Sequence, residues 1–526
     1  MKTNIIYILA TALALSLPWL GCGGYTLFVA FVPLLLLQKK CQQLRAEGTK
    51  CRFIPWCAAA FFLWQLATTF WIMHATFGGM RAAVAINTLL TTAIFSLYHK
   101  IWLKAPKSLS YTMFTALWLM YEYIYLHGEI SWPWTTLGFG FGNSTAIVQW
   151  FEYSGTLGGS LWVLVANLLI FELITNRTIG KQIVTAVWIA APIALSLIML
   201  GSYKDDGNRT IDVHVIQPNI DPYNEKFGGL TAYQQLDIIL TEAAKAPAET
   251  DYFLAPETAI ERIWENEINS ATPINTIRTF LKNRYPEAEF VTGAATHYKY
   301  AQNETPSITA RYSRRLEHWY DNYNSALKID TTQDISVYHK SRLVPGVEMM
   351  PYPKFMKFLE NNFLNLGGMY GQLGTQPDRE VFISNDSTRT ATAICYESIY
   401  GDYLGEFIRN GAQVLFIVTN DGWWKNTPGY RQHFSFARLR AIEFRRWVAR
   451  SANTGISGVI SPTGKVIKSA GWDSCTSLSH TLTLNNKITV YALYGDSVGR
   501  CAMFIAILGL LYFAAYTTKK KSHLVN

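Results

Sequence analysis

Charged side chains are scarce in this chain. Only 16% of its 526 residues are Asp, Glu, Lys or Arg, against about 25% in an ordinary soluble domain, and half are hydrophobic. The shortage is local: long apolar runs lie before about residue 201 and after about residue 499, and the stretch between them reads as a globular protein. That division excludes a single soluble domain. Cysteine is thin too. Of Cys22, Cys41, Cys51, Cys57, Cys395, Cys475 and Cys501, only Cys395 and Cys475 fall in the globular stretch, which excludes a disulfide scaffold there. A bond between those two would consume any catalytic thiol. His433 has no partner at ligand spacing, so no metal site is read, and no cofactor is expected. The basic balance does not mark a nucleic-acid-binding face. Tyr203–Gly499 holds 30 Lys+Arg against 32 Asp+Glu, leaving 16 against 5 for the rest, so the excess positive charge belongs to the apolar portion.

A helix needs about 20 largely apolar residues to cross a bilayer. Runs of that kind begin near Ile5, Leu27, Ile54, Val84, Tyr111, Leu161, Ile183 and Cys501, which predicts about eight transmembrane helices. No small-residue cleavage site follows the first run, so it reads as a retained helix, not a signal peptide. The cations alternate between loops. Lys39, Lys40, Arg45, Lys50 and Arg52 separate the second and third runs; Lys100, Lys104 and Lys107 the fourth and fifth; Arg177 and Lys181 the sixth and seventh; Lys519, Lys520 and Lys521 follow the last. The intervening loops hold only Arg81 in one and no Lys or Arg from Leu126 to Ser160. Positive loops stay cytoplasmic, which places both termini inside and the globular stretch outside. The expected division is residues 1–201 as N-terminal membrane helices (about seven), 202–498 as an exported catalytic domain, and 499–526 as a last membrane helix with a basic cytoplasmic tail.

Within the globular stretch, short Val-, Ile-, Phe- and Tyr-rich runs predict strands at Ile211–Gln217, Tyr252–Ala255, Glu289–Gly293, Ser325–Ile329, Thr390–Ile394, Val414–Val418 and Gly455–Ile460,. Amphipathic stretches such as Tyr233–Ala246 and Tyr430–Arg446 predict helices between them, and the alternation predicts a layered α/β fold. The polar segment Ala301–Asn322 reads as surface loop, Thr258-Ala259 as the start of a helix, and Arg438, Arg440, Arg445, Arg446 and Arg450 as a solvated basic face, with lipid-phosphate contact as the functional alternative,.

In such folds chemistry collects at strand ends. Three of them carry Pro256-Glu257-Thr258, Cys395-Tyr396-Glu397 and Asn420-Asp421-Gly422-Trp423-Trp424, and Tyr338-His339-Lys340 opens into Pro345-Gly346-Val347-Glu348. The Glu…Lys…Cys order resembles the nitrilase superfamily. Ala255-Pro256-Glu257-Thr258-Ala259, Lys340-Ser341-Arg342-Leu343-Val344-Pro345 with Glu348, Cys395-Tyr396-Glu397, and Asn420-Asp421 through Gln432-His433 and Ala437-Arg438 together resemble the apolipoprotein N-acyltransferase family, as does Ser131-Trp132-Pro133-Trp134. The likeness covers nearly the whole chain.

The resemblance implies a nitrilase-like αββα sandwich beside a multi-helix membrane domain in the bacterial inner membrane, with the sandwich in the periplasm. It implies a membrane phospholipid as acyl donor, a diacylated apolipoprotein as acceptor and no nucleic acid. A thiol is largely protonated at neutral pH, and its thiolate is the nucleophile. Cys395 is therefore expected as nucleophile, Glu257 as base, and Lys340 as the cation that steadies thiolate and oxyanion. Glu348, Tyr396 and Glu397 are expected to support them, the two acids by holding Lys340 or tuning Glu257. Trp423 and Trp424 are expected to gate an acyl groove or to anchor at the bilayer interface, Phe227 to join them in substrate contact, and Trp132 and Trp134 to lie in the interfacial aromatic belt. A membrane-bound amidase of nitrilase type is the alternative, and a non-catalytic lipid-binding scaffold a more remote one.

Overall fold

In the computed structural model of the chain, residues 2–205, 207–226, 228–349 and 372–525 are described. They form two compact units, one of residues 1–202 with 494–526, the other Tyr203–Leu493.

The first unit is helical. Seven of its described helices are long and apolar enough to cross a membrane: Thr3–Leu20, Gly24–Ala46, Phe53–His74, Phe77–Trp102, Phe151–Thr175, Ile179–Ser202 and Ser497–Lys519. The run near Tyr111 forms an eighth helix, Lys107–His127, of 21 residues, less apolar than the others. The second span is interrupted around Ala30, where a 3-10 turn gives way to α-helix. Asn167 seals the break: its amide donates to Leu27 O (2.7 Å), and its Oδ1 accepts from Phe31 N (2.7 Å). Broken backbone at membrane depth survives only where protein groups satisfy it in this way. Trp134 departs from the aromatic-belt expectation. It is fully buried, with its ring 5.0 Å from Trp71 and stacked on Trp132 at 5.1 Å, so it is packing in the interior of this unit. Cys41 and Cys51, on either side of Arg45 and Lys50 between the second and third runs, are joined in a disulfide.

The second unit has two sheets. The first contains β1 (Thr210–Gln217), β2 (Tyr252–Leu254), β3 (Ile260–Trp264), β4 (Glu289–Lys299), β5 (Arg311–Ser313), β6 (His318–Ile329), β7 (Ser336–His339) and β14 (Thr476–Thr483). Its main path runs β14-β1-β2-β4-β6-β5, with β3 on β4 and β7 on β6. The second contains β8 (Phe382–Ile383), β9 (Arg389–Ile394), β10 (Val414–Thr419), β11 (Val448–Ala452), β12 (Gly458–Ile460) and β13 (Val466–Ser469), in the order β13-β12-β11-β10-β9-β8. At the centre of each sheet the strands run parallel: β1, β2 and β4 in one, β9, β10 and β11 in the other. Strands covered on both faces are apolar throughout rather than alternating, and β2 and β10 are buried at every position.

The sheets face one another. The rings of Tyr252 and Phe416 meet at 5.6 Å, and Ser451 Oγ donates to Ile216 O at 2.6 Å. Helices Ala232–Ala243 and Thr272–Arg284 cover the first sheet, burying Leu236, Ile239, Ile274, Ile277 and Leu281 against Phe253, Phe290 and Leu327. Helices Gly401–Arg409 and Pro428–Phe444 cover the second. The result is the αββα sandwich.

Three local expectations are corrected. Residues after Thr258 form β3 rather than a helix, because a left-handed Thr258 (φ +48°) turns the chain onto the edge of β4. Part of the polar segment Ala301–Asn322 is strand, β5 pairing with β6 from Arg311↔Tyr320 to Ser313↔His318. The arginine run is no solvated face. Arg440, Arg446 and Arg450 are among the largest fully buried side chains. Arg440 pairs with Glu443 (3.0 Å), Arg446 donates to the carbonyls of Ala412, Phe444 and Lys487, and Arg450 pairs with Asp421 (2.7 Å). These partners offset part of the cost of burying the guanidinium groups.

Candidate active site

Four strand ends converge. Glu257 lies three residues beyond β2, Lys340 directly after β7, Cys395 directly after β9, and Asn420 directly after β10. The Glu257 turn lies flat on β4 because position 293 is glycine. A Cβ there would stand 2.5 Å from Glu257 Cα and 2.6 Å from Thr258 N, and Gly293 N donates to Pro256 O at 3.0 Å.

Lys340 is almost fully buried between two carboxylates, 3.1 Å from Glu257 Oε1 and 2.9 Å from Glu348 Oε1. Asn324, on β6, donates to the same two oxygens at 2.8 and 3.1 Å. The second oxygen of Glu257 accepts from Asn420 N (3.1 Å), and that of Glu348 from Val344 N (2.8 Å). Burial by itself would raise Glu257, but Lys340 and the hydrogen bonds from Asn324, Lys340 and Cys395 outweigh it and hold the carboxyl below its ordinary value,. Burial by itself would lower Lys340; Glu257 and Glu348 instead hold it well above the usual lysine range. The resting pair is therefore carboxylate and ammonium.

Cys395 is partly exposed and sits at φ +49°, a left-handed conformation that costs a non-glycine residue about 1–3 kcal/mol. Burial pushes its thiol up, Glu257 and Asp421 push the same way, and Lys340 and Thr419 only partly oppose them. The rise favours a resting thiol over a thiolate, beside a carboxylate able to take its proton.

Glu348 contacts Lys340. Glu397 does not. It is fully buried and accepts from Ile394 N (2.8 Å), Ser341 N (2.7 Å), Tyr338 OH (2.9 Å) and Tyr403 OH (2.5 Å). It ties the Lys340 loop to the Cys395 turn, and its own carboxyl is raised, chiefly by burial. Tyr396 is buried with its ring 5.4 Å from Tyr400. Trp423 and Trp424 are partly exposed on the 3-10 turn Asp421–Trp424. Tyr223 donates to Trp423 O (2.7 Å), and Trp424 lies 5.6 Å from the ring of His433. Phe227 lies outside the described residues.

Two neighbours escape sequence reasoning. Asn324 carries no motif; only its place on β6 aims it at both carboxylates. Lys226 is buried with its ammonium 2.5 Å from Thr258 Oγ1 and 3.5 Å from Glu257 O. Burial lowers it to about 8, against the pull of Glu257 and Glu261.

A buried acid, a cation and a thiol at converging strand ends suit acyl transfer through a thioester. Residues 215–489 match the carbon-nitrogen hydrolase model. The chain belongs to the carbon-nitrogen hydrolase family. Residues 9–169 match a second model, the apolipoprotein N-acyltransferase N-terminal domain. A relative from Chlorobaculum tepidum, named apolipoprotein N-acyltransferase, is 28% identical over 94% of this chain and 92% of its own length. One of the same name from Pasteurella multocida is 27% identical over 83% of each. Among solved structures, the nitrilase-superfamily protein Nit3 of Saccharomyces cerevisiae aligns with 53% of this chain and 92% of its own, at 14% identity and a TM-score of 0.35. A helical membrane part followed by a carbon-nitrogen hydrolase domain is the build of this protein.

Proposed function

We propose that the chain is an apolipoprotein N-acyltransferase in which Cys395, Glu257 and Lys340 carry the reaction. The observation behind the residue roles is the contact of Glu257 with both Lys340 and the neutral Cys395 thiol. As Cys395 attacks the ester carbonyl of a phospholipid, its proton passes to Glu257. Lys340 faces the developing oxyanion, with the N–H following Cys395 at the start of its turn. Collapse expels the lysophospholipid alcohol, which takes the proton back from Glu257, and leaves an acyl thioester. The α-amine of a diacylglyceryl cysteine then attacks the thioester, Glu257 removes the amine proton, and the thiol is restored as the amide forms.

Seven membrane-length helices suit two lipid substrates better than a tether would, and the loop cations support an inner-membrane enzyme with residues 202–498 facing the periplasm. The test is mass spectrometry of a diacylated lipopeptide incubated with purified enzyme and phospholipid. A triacylated product supports the reading. Free fatty acid released with or without lipopeptide, and no acylated peptide, would mean an amidase-like hydrolase instead.

A further inference from the structure

Behind the Cys395 turn lies a buried polar chain made of Arg450, Asp421, His433 and Ser398, none more than 1% exposed. It is assembled from four places: Asp421 follows β10, Arg450 is on β11, His433 is on the helix Pro428–Phe444, and Ser398 is in the 3-10 turn Cys395–Ile399. Arg450 Nη2 donates to Asp421 Oδ2 at 2.7 Å, His433 Nδ1 lies 2.9 Å from Asp421 Oδ1, and His433 Nε2 lies 3.0 Å from Ser398 Oγ. Ser398 Oγ in turn donates to the backbone carbonyl of Cys395 at 2.7 Å.

The spacings are those of a Ser-His-Asp triad, yet the hydroxyl is not poised to attack. Ser398 is buried, and its one hydrogen goes to a main-chain oxygen. For Ser398 to donate there and still pair with His433, the histidine Nε2 must carry a hydrogen and give it to Ser398 Oγ. His433 Nδ1 faces the Asp421 carboxylate, which Arg450 also orients, and Arg450 Nη2 lies 3.1 Å from the same ring nitrogen. The line ends on the nucleophile's carbonyl. Thr419 Oγ1 donates to Asp421 Oδ1 (3.1 Å) and also reaches the Cys395 thiol, so the same aspartate supports the turn from a second side.

We propose that Ser398 and His433 are positioning residues that hold the Cys395 carbonyl, and with it the left-handed backbone that presents Sγ to Glu257 and Lys340. The proposal rests on Cys395 being the nucleophile. It is tested on the full-length enzyme in nanodiscs by single-turnover acylation of Cys395 from phospholipid, with the rate expressed per folded protein. Because misplacement of about 1 Å costs about 10²-fold, Ser398→Ala should slow acylation by about 10- to 100-fold at an unchanged half-saturating phospholipid concentration. Ser398→Thr, which keeps the hydroxyl, should recover most of the rate. His433→Gln should fall similarly, and the double variant Ser398→Ala/His433→Gln should be no slower than the worse single one, because both act through one carbonyl. If His433→Gln fails to fold, the Ser398→Ala and Ser398→Thr pair decides alone. Wild-type acylation by Ser398→Ala, absence of rescue by threonine, or additive losses in the double variant would overturn the proposal. Cys395→Ala is run alongside. If it still acylates the lipopeptide, the nucleophile assignment itself fails; if it is inactive while Ser398→Ala is normal, only the positioning role fails.

Discussion

Gly293→Ala is a perturbation that never touches substrate yet should disable the enzyme. The added Cβ would stand 2.5 Å from Glu257 Cα, 2.6 Å from Thr258 N and 2.7 Å from Pro256 O, where ordinary contact begins at 3.4 Å. All three are backbone atoms, so no side chain can swing aside. The Glu257 turn must move by about 1 Å, a displacement worth about 10²-fold in rate at a reacting group. The same overpacking should cost about 1–3 kcal/mol of stability. Glu257 would also be drawn from Lys340 and Asn420 N, now both at 3.1 Å. The assay is lipopeptide acylation at saturating phospholipid, with thermal unfolding measured in parallel. Acylation within threefold of wild type in a variant that folds would refute the claim that this close approach sets the position of Glu257.

Lys340→Met leaves Glu257 and Glu348 facing each other without their shared cation. Acylation should fall by about 10²–10³-fold, and unfolding should come earlier by the equivalent of about 3–5 kcal/mol; wild-type kinetics would contradict the oxyanion role. The raised thiol predicts that alkylation of Cys395 by iodoacetamide, read from its peptide, keeps accelerating from pH 7 to pH 10,; a rate already level below pH 8 would mean a resting thiolate. Glu257 has the opposite sign. Its depressed carboxyl contributes stability that is fully present above the ordinary carboxylate value and is lost only as pH falls through the lower folded value,, so melting temperature should not drop between pH 7 and pH 5 on its account. For topology, Ile308→Cys, at 92% exposure, should label from the periplasm, and Gln42→Cys only from the cytoplasm, in a background with Cys22, Cys395, Cys475 and Cys501 changed to serine; reversed labelling would contradict the orientation.

The membrane part was legible because a bilayer imposes length and hydropathy on each helix separately. The run near Tyr111 shows the limit: its helix forms, with Lys107, Glu122 and several polar residues lowering its hydropathy. The parallel strands β2, β9 and β10 were legible as short apolar runs, whereas β3, β5 and β14 were not, since their burial is partial and, for β3 and β14, their pairing is non-local. At the site, Glu257, Lys340 and Cys395 stood out by motif. Arg446 and Arg450 did not betray their burial, because their acceptors, the Ala412 carbonyl and Asp421, come from distant segments. Glu397 read like Glu348, and only the three-dimensional arrangement separates the acid that holds Lys340 from the one that braces two loops.

The most direct test is intact-mass analysis of the enzyme given phospholipid and no acceptor. The account predicts one added acyl chain, released by neutral hydroxylamine, absent in Cys395→Ala, scarce in Glu257→Gln, and discharged to a triacylated product when a diacylated lipopeptide is added. An acyl adduct that survives Cys395→Ala, or triacylated product formed by that variant, would contradict it.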